Sequence, residues 1–227
     1  MDNKIKAFVQ KFSEETANDN AAIFAGAGLS VSAGYVDWRS LLKNIAQNLN
    51  LNVEKEHDLV ALAQYHCNNA PSGRQELNQL LVDEFCQNHQ ITENHEILAR
   101  LSIKTFWTTN YDDLIETALK KTGKNVDVKY TLEHLTLTVP KRDAIVYKMH
   151  GDRSSPDKAI LTKDDYEKYH KVFGPYVTAL SGDLVSKTFL FIGFSFTDAN
   201  LDYILSRIKV NLNSSPRIHY CIFVSFR

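Results

Sequence analysis

The 227-residue chain predicts an α/β fold, a mostly parallel β-sheet with helices on both faces. Two observations carry this. Short apolar runs alternate along the chain with segments of helical period. Four of those runs end in small or polar residues, at Gly26-Ala27-Gly28, Thr109-Asn110, His150-Gly151-Asp152 and Gly193-Phe194-Ser195. In an open parallel sheet the C-terminal strand ends line one crevice, where ligands bind. The pattern therefore brings four unusual groups of residues to one edge.

Taken in order, Ile5, Phe8, Val9 and Phe12 follow the i, i+3, i+4, i+7 spacing of one helix face. That face is expected to bury in the chain's own core, with an oligomer interface as the alternative. Ala21-Ala22-Ile23-Phe24 is short, apolar and stopped by glycines, the profile of a buried parallel strand. Helical patterning then dominates. Trp38, Leu41, Leu42 and Ile45 share a face, as do Leu59, Leu62, Ala63 and His66; after the break at Pro71-Ser72-Gly73 come Leu77, Leu80, Leu81 and Phe85. This is more helix than one crossover needs, so a helical insertion is expected over about residues 40–100. Further strands are expected at Thr105–Thr109, at Val126–Val128 as a short edge strand, and at Ala144–Met149, Thr188–Ile192 and Ile218–Val224. A helix is expected from about Asp112 to Lys121. Lys163 to Lys171, with Tyr166 and Tyr169, reads as an amphipathic helix rather than an RNA-binding stripe.

Composition narrows the function classes. Hydrophobic residues make up 44% and charged residues 23%, an ordinary globular balance. Lys plus Arg is 26 and Asp plus Glu is 27, a formal net charge of -1. No global field attracts nucleic acid or an anionic membrane. Cys67, Cys86 and Cys221 are too scattered for a disulfide framework, and without a CxxC pair no cysteine zinc site is expected. His57, His66, His89, His95, His134, His170 and His219 show no metal-ligand spacing. The start of the chain lacks the apolar stretch of a signal peptide, and no apolar run is long enough to span a membrane. A soluble, cytoplasmic protein is expected.

Ala25-Gly26-Ala27-Gly28-Leu29-Ser30 lies between a strand and a helix, where backbone N–H groups favour a phosphate. Val31 breaks the GxGxxG dinucleotide fingerprint, and by itself the turn fits a plain strand-to-helix connection equally well. The residues beyond the turn are more specific. Gly34 and Asp37-Trp38-Arg39 resemble the run after this turn in sirtuins, with Val36 in place of the usual Pro. Thr108-Thr109-Asn110-Tyr111-Asp112 is similar to the sirtuin Thr-Gln-Asn-Ile-Asp motif. His150-Gly151 resembles the His-Gly that carries the general base, and Gly193-Phe194-Ser195 the Gly-Thr-Ser near the adenosine ribose. Singly, an Asn and Asp after a strand are ordinary helix caps and a lone His is an ordinary structural residue. Together they stand in family order across roughly residues 21–205, each at a strand end.

The resemblance implies a Rossmann-like, sirtuin-like fold. Deacylating sirtuins usually carry two CxxC pairs, absent here, and the detailed motifs look closest to the sirtuin-like NAD-hydrolase domains of bacterial anti-phage defence, such as the NAD-cleaving effectors of Thoeris systems. It implies hydrolysis of NAD, as substrate and without a metal, to nicotinamide and ADP-ribose. Asn110 and His150 are then the catalytic pair. Ala25, Gly26, Ala27, Gly28 and Ser30 would hold the pyrophosphate, Asp112 would recognise the nicotinamide amide or balance the charge, and Thr109 would lie among the NAD contacts. Asp37 and Arg39 would order the loop over the nicotinamide, and Gly193, Phe194 and Ser195 would follow the adenosine half. It also implies a homo-oligomer, and a chain that is the N-terminal part of a longer protein, with a C-terminal sensor domain or a defence partner outside residues 1–227. No direct nucleic-acid contact is expected. Two alternatives stay open, an NAD-binding sensor or scaffold without turnover and a zinc-free protein deacylase.

Overall fold

The computed structural model describes residues 2–194, 202, 205, 206 and 217–222. In chain order these form α1 (Asn3–Ala17), β1 (Ala21–Ala25), α2 (Ala27–Val31), α3 (Trp38–Leu41), α4 (Lys43–Asn48), α5 (Leu59–Asn69), α6 (Gly73–Phe85), α7 (Glu93–Arg100), β2 (Thr105–Thr108), α8 (Leu114–Lys121), β3 (Val126–Lys129), α9 (Leu132–Thr136), β4 (Ala144–Lys148), α10 (Lys163–Val172), α11 (Gly174–Ser186), β5 (Thr188–Ile192) and β6 (Tyr220–Ile222). The strands form one sheet in the order β3-β4-β2-β1-β5-β6, and every pairing is parallel.

Side chains alternate along a strand, so each strand feeds two cores. From β1, Ala21, Ile23 and Ala25 pack with Phe12 of α1, Leu98 of α7 and Leu119 of α8. Ala22 and Phe24 face the other way, into Trp107, Tyr169 of α10 and Tyr176, Leu180 and Leu184 of α11. All five residues of β1 are buried, as a central strand covered on both faces requires. A third core joins Leu41, Leu42, Ile45, Leu62, Ala63, Leu77, Leu81 and Phe85, the apolar faces of the expected helical insertion.

Four expectations change in detail. On α1 only Phe12 is buried, with Phe8 half-buried, while Ile5 and Val9 are exposed. The helix meets the sheet through a narrow stripe: Phe8 and Phe12 pack against Tyr220 of β6, with ring centroids 4.8 and 6.3 Å apart. Next, α8 begins at Leu114, because Asp112 Oδ1 accepts the Leu114 N–H at 3.1 Å and closes a turn before the helix starts. Of the strand expected at Ile218–Val224, Tyr220–Ile222 is present, and Phe223 and Val224 lie outside the described residues. Finally, α11 has no counterpart among the expected elements, although Tyr176, Leu180 and Leu184 recur at helical spacing after Pro175. The edge position of β3 is as expected.

Candidate active site

One row of register partners crosses the C-terminal edge of the sheet: Lys148 pairs with Thr108, Thr108 with Ala25, and Ala25 with Ile192. Loops leave from this row. Asn110 and His150 each lie two residues beyond it, on the neighbouring strands β2 and β4. After β1 the chain crosses to β2 on one side and later to β5 on the other, so the β1–β5 gap is the topological switch point. There an open α/β sheet forms its ligand crevice.

The glycine turn and the β5 loop interlock at that point. Gly26 N–H donates to Ile192 O at 2.9 Å, and Gly28 N–H to Gly193 O at 2.8 Å. A Cβ on Gly26 would stand 2.5 Å from Gly193 O, and one on Gly193 (φ 64°) would stand 2.3 Å from Leu29 N. The glycines thus serve the close approach of two loops, and two of the turn's own N–H groups are committed to protein carbonyls. The turn reaches the surface through Ala27 and Gly28. Ala25 and Gly26, expected among the ligand contacts, are buried at the strand end and do not line the cleft.

Behind this surface Asn110, Ser30 and Asp112 form a buried chain of hydrogen bonds. Asn110 Nδ2 donates to Gly26 O at 3.0 Å and to Ser30 Oγ at 2.9 Å; Ser30 Oγ donates to Asp112 Oδ2 at 2.7 Å. Because Gly26 O can only accept, the atom facing it is the amide nitrogen, which fixes the orientation of the Asn110 side chain. Its Oδ1 is buried and has no hydrogen-bond partner among the described residues. Asn110 N–H also donates to Thr108 Oγ1 at 2.9 Å, turning the backbone as it leaves the strand.

His150 is buried at the end of β4, and its ring packs edge-on against Tyr166 at 5.5 Å and Tyr169 at 6.4 Å. The positive φ of Gly151 (94°) lets the loop fold back, so that His150 O accepts the Ile160 N–H at 2.9 Å. Asp37 caps α3 by accepting the Ser40 N–H at 2.8 Å. The Arg39 guanidinium donates to Val53 O, and to Glu56 O at 3.0 Å. Both side chains order the loop they sit in, and both reach the cleft wall. Nearby, burial pushes the Tyr35 phenol up to about 12, aided by the negative charge of Asp112.

All of this opens on a cleft of about 1740 Å³, lined by Ala27, Gly28, Ser30, Asp37, Arg39, Thr109, Asn110, Asp112, His150, Gly193 and Phe194. Ser195 lies outside the described residues. The hollow runs on past Ile97, Leu98 and Leu101 to Leu190 and Ile222, so the volume includes space beyond the strand ends. The far wall was missed by sequence reasoning. Lys163, Tyr166, Glu167 and His170 of α10 all face the cleft, with His57 and Asp58 before α5. Their i, i+3, i+4, i+7 spacing was the available signal. Among the described residues no group of three or more His, Cys, Asp or Glu could hold a metal ion, and no helix is long and apolar enough to cross a membrane. Cys67, Cys86 and Cys221 are free.

Residues 104–226 match the family described as a SIR2-like domain. The chain is 58% identical over 218 residues to "NAD(+) hydrolase ThsA" of Bacillus cereus (strain MSX-D12), covering 96% of this chain and 46% of that protein. It is 57% identical to the protein of the same name from Acinetobacter baumannii (strain 532279), covering 96% and 45%. A more distant relative, "Defense-associated sirtuin 2" of Bacillus subtilis, is 24% identical, covering 92% and 21%. The chain thus spans about half the length, or less, of the curated relatives it matches.

Proposed function

Because the chain belongs to the SIR2-like family, we propose that it hydrolyses NAD to nicotinamide and ADP-ribose in the cleft at the strand ends. The observation that carries this reading is the buried Oδ1 of Asn110, which has no hydrogen-bond partner among the described residues. A buried acceptor without a donor costs on the order of 1–3 kcal/mol. A ribose hydroxyl or the attacking water would supply that donor.

The chemistry asks little acid catalysis of the protein. Nicotinamide leaves as a neutral molecule from a positively charged ring nitrogen, through a transition state resembling an oxocarbenium ion. NAD and water give nicotinamide, ADP-ribose and one proton. Asn110 Oδ1 accepts from the nucleophile and aims its lone pair at the ribose carbon, while the Nδ2 bonds hold the amide still. His150 takes the released proton as the general base. Asp112, held by Ser30 and the Leu114 N–H, places a negative charge next to the developing positive one. The turn at Ala27 and Gly28 and the loop at Gly193 and Phe194 bracket the phosphates and the adenosine half, with Asp37, Arg39 and Thr109 on the nicotinamide side. NAD depletion in anti-phage defence, homo-oligomeric assembly and control by a sensing domain or partner belong to the same proposal.

The test is product analysis with purified protein. Asn110→Ala and His150→Ala should each remove activity by about 10²–10⁴-fold while leaving the circular dichroism spectrum unchanged. Full activity in either folded variant would end the assignment.

A further inference from the structure

Lys148, the last residue of β4, is a cation with no access to solvent. Its Nζ donates to Tyr111 O at 3.1 Å, to Asp112 O at 2.5 Å and to the Asp152 carboxylate, and stands 3.1 Å from Glu116 Oε1. Three N–H donors are thus shared among four acceptors, drawn from the loops after β2 and β4 and from α8. Tyr111 and Asp112 belong to the loop that carries Asn110. Asp152 belongs to the loop that carries His150, where Ser154 N–H and Oγ secure its other oxygen at 2.8 and 2.6 Å. Glu116 lies in the first turn of α8.

We propose that Lys148 is a positioning residue for NAD hydrolysis, its ammonium clamping the Asn110 loop to the His150 loop so that the two catalytic side chains keep a fixed relation. The clamp rests on reading the cleft as that of an NAD hydrolase. Stability alone is a weak reason for such a group, since well-packed apolar residues often replace a buried ion pair at no cost. Burial works against the Lys148 charge, but Glu116, Asp152 and Asp112 outweigh it and hold its pKa at about 12. Burial pushes the Glu116 carboxyl up against the pull of Lys148, whereas at Asp152 the pull of Lys148 and Ser154 prevails over burial and holds the carboxyl down. The ammonium and the Asp152 carboxylate thus favour their charged forms, and their contact joins the two loops. Neither Lys148 nor Glu116 needs to touch the ligand.

The test separates folding from positioning. Lys148→Met alone leaves two buried carboxylates unpaired and is expected to unfold, so the informative variant is Lys148→Met/Glu116→Gln/Asp152→Asn, which leaves no orphaned charge. The milder Asp152→Asn variant serves if the triple variant does not fold. Positioning predicts a melting temperature near that of the parent, a KM for NAD within about threefold, and a kcat lowered about a hundredfold, the scale of an ångström's misplacement. It also predicts faster amide exchange in residues 109–113 and 149–153, with the sheet still protected. A purely structural role predicts that kcat recovers together with the melting temperature, and that result would overturn the clamp. The exchange measurement needs no turnover: unchanged protection of both loops overturns the clamp by itself, whereas a parent chain inactive on NAD with faster-exchanging loops in the variant counts against the hydrolase reading and not against the clamp.

Discussion

Ser30 is the hinge of the buried chain at the site, and Ser30→Ala isolates it without deleting a catalytic group. The hydroxyl accepts from Asn110 Nδ2 at 2.9 Å and donates to Asp112 Oδ2 at 2.7 Å, and both partners are buried. A hydrogen bond to a charged acceptor contributes about 1.5–3 kcal/mol and a neutral one about 0.5–1.5. The substitution should therefore cost about 2–4 kcal/mol, part of it from the stranded carboxylate oxygen. For a chain of this size that lowers the melting temperature by roughly 4–16 °C. Asn110 keeps its bond to Gly26 O but loses its second tether, so kcat on NAD should fall about ten- to a hundredfold. Calorimetry and nicotinamide release measure the two effects on one sample. An unchanged melting temperature together with unchanged kcat would show that the Asn110–Ser30–Asp112 chain neither holds the loop nor aims the amide.

The same geometry sets other expectations. Gly193→Ala forces a left-handed backbone and drives a Cβ to 2.3 Å from Leu29 N, so it should cost at least about 2 kcal/mol and appear as a lower melting temperature or insoluble protein. Burial lowers the pKa of His95, so native protein takes up its proton later than the unfolded chain does. Stability should then fall as the pH drops from about 6.5 toward that lowered value; His95→Gln, which keeps an acceptor at the capping position, should flatten that limb in a denaturant series. At Asp165, burial raises the pKa, but the Leu161 and Thr162 N–H groups and Arg74 outweigh it and hold the carboxyl low. Its contribution is present above the ordinary carboxylate pKa of about 4 and is lost as the pH falls through the lowered one, so Asp165→Asn should soften acid unfolding.

Strand positions were legible because a parallel sheet covered on both faces demands short apolar runs, and the chain stops four of them with Gly, Asn or His. The four strand-end groups meet at one edge, as the topology required. Other features were opaque for physical reasons. The close packing of Gly26 against Gly193 joins two loops remote in sequence, so no local pattern could show it. Arg39 was expected to order its loop, but the carbonyls of Val53 and Glu56 that receive its guanidinium lie 14 and 17 residues away and carry no local pattern. Lys148 carried a signal that went unused, a lysine closing the apolar run Ala144-Ile145-Val146-Tyr147 in a strand with two covered faces. A charge at such a place calls for buried partners, and Glu116 and Asp152 supply them.

The most direct test of the account is NAD turnover by the purified chain, with products resolved by chromatography and Asn110→Ala as the control. The account predicts equal release of nicotinamide and ADP-ribose by the parent chain and loss of both in the variant. NAD bound but left intact by the parent chain, or cleaved equally by the variant, would contradict it.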